Sequence, residues 1–112
     1  MKIVISSTGK NISDNMSDTF GRSPYFIITE IEDSKIINSE AIENINANQA
    51  GGAGISAAKL VVEKDAKIII TKNVGPRALD VLKQFKIEIY SGEGIVEKIL
   101  QDFIDGNLKK TN

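Results

Sequence analysis

Apolar positions fall into short β-branched runs in the first half of the chain, and into strand-like runs alternating with helical stripes in the second. Lys2-Ile3-Val4-Ile5-Ser6 predicts a buried first strand. Tyr25 to Glu30 and Lys35 to Ile42 predict a second and third, joined by the polar Glu32-Asp33-Ser34 into an antiparallel hairpin. A helix opens at Ala50-Gly51-Gly52-Ala53-Gly54 and runs to about Lys64, with Ile55, Ala58, Val61 and Val62 on its apolar face. Lys67 to Thr71 is the next strand, apolar enough at its centre to be covered on both faces. Gly75-Pro76 starts a second helix, with proline in its favoured first turn and Ala78, Leu79, Val81, Leu82 and Phe85 on its stripe. Ile87 to Tyr90 is the last strand. Ser91-Gly92-Glu93-Gly94 opens a third helix with Val96, Ile99, Leu100 and Phe103 inward, ending near Gly106.

The order β-β-β-α-β-α-β-α predicts a mixed five-stranded sheet with helices on its faces. Right-handed crossovers make Ile3–Ser6, Ile68–Thr71 and Ile87–Tyr90 mutually parallel. Residues 1–108 form a single α/β domain, and 109–112 are expected to be a frayed tail. Two polar stretches interrupt the pattern. Ser7 to about Pro24 is long for a loop in a compact domain, which implies a task. Asn44 to Gln49 is asparagine-rich. Ser7–Asp18 and Asn44–Gly52 show few apolar anchors and are expected to open easily in the free protein.

Composition narrows the chemistry. A chain of 112 residues with 41% hydrophobic content suffices for one core. A formal net charge of −1 supplies no field to hold a nucleic acid. No apolar run approaches the roughly 20 residues of a membrane helix, and the first residues are too short for a secretory core, so the expected location is cytoplasmic. The chain has neither cysteine nor histidine. Thiol nucleophiles, imidazole bases and the thiolate or imidazole ligands of zinc and soft metals are thereby excluded. Asp14 and Asp18 could offer oxygen to a hard cation, but two acids in a polar loop are ordinarily just solvated. Met16 alone makes no metal site.

Candidate binding residues lie at three glycine-rich helix starts: Gly51, Gly52 and Gly54; Asn73 with Gly75; and Gly92. Helix N-termini carry free N–H groups and partial positive charge. Glycine lets a ligand approach the backbone, and together these features make anion sites. Glycine also serves turns for its φ alone, the stronger explanation for Gly75 and, more so, for Gly92. Three glycines in the four residues 51–54 weaken a helix start and favour a functional use there. Neither a dinucleotide fingerprint nor a P-loop is present. Arg22 has a planar fork suited to a carboxylate or oxyanion; the competing explanation is an ion pair with Asp18.

Phe20-Gly21-Arg22-Ser23-Pro24-Tyr25-Phe26 resembles a motif of the dinitrogenase iron-molybdenum cofactor biosynthesis family, the group of the nitrogen-fixation X and Y accessory proteins and the carboxyl-terminal domain of the B protein. Gly51-Gly52-Ala53-Gly54-Ile55, Asn73-Val74-Gly75-Pro76-Arg77-Ala78 and the ending from Ile87 to Leu108 agree, so the resemblance spans Lys2 to Leu108. It implies a ribonuclease-H-like three-layer α/β/α fold. It also implies a non-enzymatic accessory protein that binds or carries an iron–sulfur or molybdenum cofactor, or a precursor, beside cluster-assembly partners. This chain departs from the family in lacking Cys and His, so a cluster would be held by backbone N–H groups and Arg22, without ligation. The nuclease activity of the fold is not implied, because its two-metal chemistry needs clustered carboxylates and Ile3 to Ser7 and Ile68 to Thr71 carry none. Two other readings stay open: a protein-interaction or regulatory module without a small ligand, and a small hydrolase using the glycine loops on a phosphorylated compound.

Overall fold

Alternation along Ile3, Val4 and Ile5 sends successive side chains to opposite faces of a sheet. In the computed structural model, which describes residues 1–112, each face carries its own core. The elements are β1 (Lys2–Ser7), β2 (Tyr25–Glu32), β3 (Lys35–Glu43), α1 (Ala53–Glu63), β4 (Ile68–Ile70), α2 (Pro76–Gln84), β5 (Glu88–Ser91), α3 (Val96–Ile104) and β6 (Lys109–Lys110). The sheet order is β3-β2-β1-β4-β5-β6. β1, β4 and β5 are parallel, while β2 and β3 form the antiparallel hairpin.

Val4, Phe26, Ile69 and Ile89 meet α1 and α2 on one face, through Ala57, Ala58, Val61, Ala78 and Leu82. Ile3, Ile5, Ile27 and Ile70 meet α3 on the other, through Val96, Ile99 and Leu100. Two helices thus cover one face of the sheet and one helix the other.

Four expectations need correction. The sheet has six strands, so the five-stranded ribonuclease-H-like arrangement is not met as such. The last residues are not frayed: Lys109 and Lys110 pair antiparallel with Ser91 and Tyr90. Asn112 closes the edge like a further strand residue, its Oδ1 accepting from Ile89 N–H at 2.9 Å and its Nδ2 donating to the Ile87 carbonyl at 3.0 Å. Phe85 does not join the buried stripe of α2. It is the C-cap, past the last helical residue, and is 51% exposed.

Finally, the long loop does have apolar anchors. Phe20 is fully buried against Phe26, ring centroids 5.5 Å apart, and Met16 sits in the α3-side core. Backbone bonds from Met16 to Gly94, Val96 to Asp14 and Glu97 to Ile12 tie the loop to the start of α3.

Candidate functional site

α1 and α2 begin side by side. A Cβ on Gly54 would stand 3.2 Å from the Ala78 Cβ, so the first turns of the two helices approach closely. Neither helix has a side-chain N-cap. Gly52 caps α1 with φ +74°, a conformation that favours glycine, and Gly75 caps α2 ahead of Pro76. Helical backbone bonding begins with Ser56 N–H to Gly52 O in α1 and Leu79 N–H to Gly75 O in α2. The N–H groups of Ala53, Gly54, Ile55, Arg77 and Ala78 therefore precede the first intrahelical bonds.

These two first turns line an open cleft of about 400 Å³, whose third wall is Gly21 and Arg22 from the long loop. Arg22 and Arg77 are the charged side chains of this lining, and no acidic residue belongs to it. The three ion pairs of the chain, Met1 with Glu30, Lys72 with Glu93 and Lys110 with Glu88, involve neither arginine. Arg22 does not meet Asp18. Its Nη1 donates to the carbonyls of Ala47 at 2.9 Å and Gln49 at 3.1 Å. Both Arg22 and Arg77 are exposed.

The structure brings together Arg22, Gly52, Gly54 and Gly75. Gly51 adjoins them in an exposed turn. Asn73 lies at the carboxyl end of β4 and faces the loop instead. Its Nδ2 donates to the Asp18 carbonyl at 2.9 Å, and its own carbonyl accepts from Phe20 N–H at 3.0 Å. Gly92 lies outside the cleft, where a Cβ would come within 2.9 Å of Ile99 Cγ2 and 3.3 Å of Ile70 Cγ2. Its glycine lets α3 pack on β4. Sequence reasoning did not select Gly21 or Arg77. Their signal was membership in the same two motifs that supplied Arg22 and Gly75.

Beneath the loop, the strand ends carry hydroxyls. Ser6 Oγ lies 2.8 Å from Thr71 Oγ1 and 2.9 Å from the Ser17 carbonyl, and Ser23 Oγ accepts from Ser7 N–H at 3.1 Å. Asp14 is spent on its own turn, accepting from Asn11 N–H. No three His, Cys, Asp or Glu side chains gather anywhere. Met16 is buried in the core. The cleft is thus a set of hydrogen-bond donors with positive charge.

The chain is thus a small α/β domain with two helix starts that lack side-chain caps and two arginines outside any ion pair around one cleft. The family profile described as dinitrogenase iron-molybdenum cofactor matches residues 1–106, and the chain belongs to that family. It is 34% identical over 112 residues to the uncharacterized protein MJ0580 of Methanocaldococcus jannaschii, covering 98% of this chain and 95% of that one. Among solved structures it resembles TM1290 from Thermotoga, a candidate NifB protein, at 33% identity and a TM-score of 0.83, covering 97% and 91% of the two chains. The apo form of the orange protein from Desulfovibrio gigas shares the fold, with a TM-score of 0.90 at 24% identity over 98% and 92% of the chains. No helix is long and apolar enough to cross a membrane.

Proposed function

We propose that the protein is a non-enzymatic accessory protein of cofactor assembly, acting in the cytoplasm, whose cleft binds an anionic ligand. Family membership supports an iron–sulfur or molybdenum cofactor, or a precursor of one, as that ligand. The observation that carries the reading is the cleft lining: Arg22 and Arg77, two helix starts and no carboxylate, in a chain whose net charge is −1.

Each helix start favours an anion by about 0.3–1 kcal/mol at an exposed site. A charge-assisted bond from an arginine adds roughly 1.5 kcal/mol, the lower end of its range because both guanidinium groups are exposed. The chain's donors suit the sulfide or oxo surface of a cluster and not its metal ions, since no thiolate or imidazole exists to ligate them. The cluster is cargo in this reading. A ligand held only through its outer atoms can be handed on without breaking metal–protein bonds. Hydrolysis is disfavoured because the strand ends offer Ser6, Ser7 and Thr71 where a two-metal site needs clustered carboxylates.

A second reading, a protein-interaction module, draws on Ile45, an isoleucine 83% exposed beside a groove between the end of β3 and α1. The test is native mass spectrometry of anaerobically purified chain, offered molybdate and reduced iron–sulfur precursors in turn. The proposal expects a mass increment on the parent that an Arg22→Ala/Arg77→Ala double variant loses. A parent chain that stays bare with every anion would favour the interaction module.

A further inference from the structure

We infer that Asn44 positions Arg22 in the cleft, and that the two residues hold each other's segments in a reciprocal clasp; its bearing on affinity rests on the anion-binding reading above. Asn44 follows the last residue of β3 and is 4% exposed. Its Nδ2 donates to the carbonyl of Gly21 at 3.0 Å and that of Ser23 at 2.9 Å, the two residues flanking Arg22. Its Oδ1 accepts from Asn46 N–H at 3.3 Å, and its backbone carbonyl accepts from Ala47 N–H at 3.1 Å, which folds the following turn.

Arg22 returns the contact. Its guanidinium donates to the carbonyls of Ala47 and Gln49 in the turn that Asn44 starts. One buried carboxamide therefore holds the Gly21–Arg22 and Ser23–Pro24 peptide units, on either side of the arginine, and the arginine holds the turn that follows the carboxamide. Two near substitutes do not reproduce these bonds. Aspartate has the shape but would set a carboxylate against two carbonyl oxygens, and serine supplies one donor where two are used.

The consequence is a defined direction for the exposed Arg22 side chain. A free arginine would lose rotamer freedom on meeting a ligand, whereas this one has surrendered much of it already. Asn44 touches no ligand in this account. It acts through Arg22.

The test has two arms on the full-length chain. In the first, without ligand, the Arg22 Nε–H resonance of the ¹⁵N-labelled protein is assigned by its loss in Arg22→Lys. Asn44→Asp is expected to move this resonance and speed its hydrogen exchange about tenfold, together with the amides of Ala47 and Gln49. Asn44→Ser, which keeps one donor, is expected to show the same change in smaller measure, and it carries the test if Asn44→Asp does not fold. Leu100→Ala, in the core on the opposite face of the sheet, controls for general destabilisation and is expected to leave the resonance in place. An Arg22 resonance unchanged in a folded Asn44→Ser overturns the inference.

In the second arm, molybdate is titrated calorimetrically. Asn44→Ser is expected to weaken binding several-fold, within the roughly tenfold bound set by loss of the one charge-assisted bond of Arg22, and to have no measurable effect when Arg22 is already alanine. Equal weakening in both backgrounds shows that Asn44 does not act through Arg22 and overturns its positioning role. A parent chain that ignores molybdate, while the Arg22 resonance moves in the Asn44 variants, overturns molybdate recognition and leaves the clasp standing.

Discussion

The backbone of Gly21 rests directly on the first turn of α1 at Gly54: a Cβ added to Gly21 would lie 2.7 Å from both Cα and N of Gly54. This contact brings the loop carrying Arg22 onto the N–H groups of α1, and it leaves no room for any side chain. Gly21→Ala must move backbone, not a flexible side-chain end. The expected loss is about 1–3 kcal/mol of stability, read as a lower denaturant midpoint, with weaker anion binding from the displaced Arg22. An unchanged midpoint would show that the loop yields freely there.

Gly92 separates packing from binding. Its added Cβ would press on buried Ile99 and Ile70, well away from the cleft. Gly92→Ala is expected to reduce stability by about 1–3 kcal/mol while leaving the affinity for molybdate within about twofold of the parent. A selective loss of binding at unchanged melting temperature would instead place Gly92 in the site.

Phe20 anchors the Arg22 loop from below, fully buried against Phe26. Phe20→Ala is expected to cost about 3–5 kcal/mol, a large share of a small domain's stability. Amide exchange in the loop from Thr8 to Ser23 should rise further than in the strands. Uniform acceleration across the whole chain would contradict the local anchoring.

Tyr90 gives a pH signature. Burial chiefly, then the Glu88 carboxylate at 3.2 Å from its hydroxyl, raise its pKa above the ordinary tyrosine value of 10.0, while Lys110 opposes. A folded-state pKa above the unfolded one means that the native state holds the proton more tightly. The associated stability is fully present below about pH 10 and is lost as pH rises through the folded pKa. Ultraviolet titration should show the Tyr90 phenol ionising above 10, and Glu88→Gln should lower its midpoint. No change in Glu88→Gln would remove the carboxylate from the account.

Much of this was legible in the chain, for identifiable reasons. Ile3, Val4 and Ile5 alternate between two cores, and Ile68 to Ile70 is covered on both faces, so hydrophobic pattern alone located β1 and β4. β6 was not legible. Two lysines carry no apolar pattern, and their pairing depends on backbone bonds and on the Asn112 side chain standing in for a strand. Phe85 misled because helical spacing reaches it while the helix itself ends at Gln84. The glycine clusters marked both helix starts of the cleft. They could not show that Arg22 meets Ala47 and Gln49 in place of Asp18, or that Gly92 serves α3 packing, because these depend on distances between segments remote in sequence.

The most direct measurement is a molybdate titration of the ¹⁵N-labelled chain, followed residue by residue through its backbone amides. An anion in the cleft is expected to shift the N–H resonances of Ala53, Gly54, Ile55, Arg77 and Ala78 together, along one saturating curve that weakens as ionic strength rises. Arg22→Ala should displace that curve about tenfold toward weaker binding. Saturating binding that leaves these five amides unmoved, or no binding at all at low salt, would contradict the anion cleft.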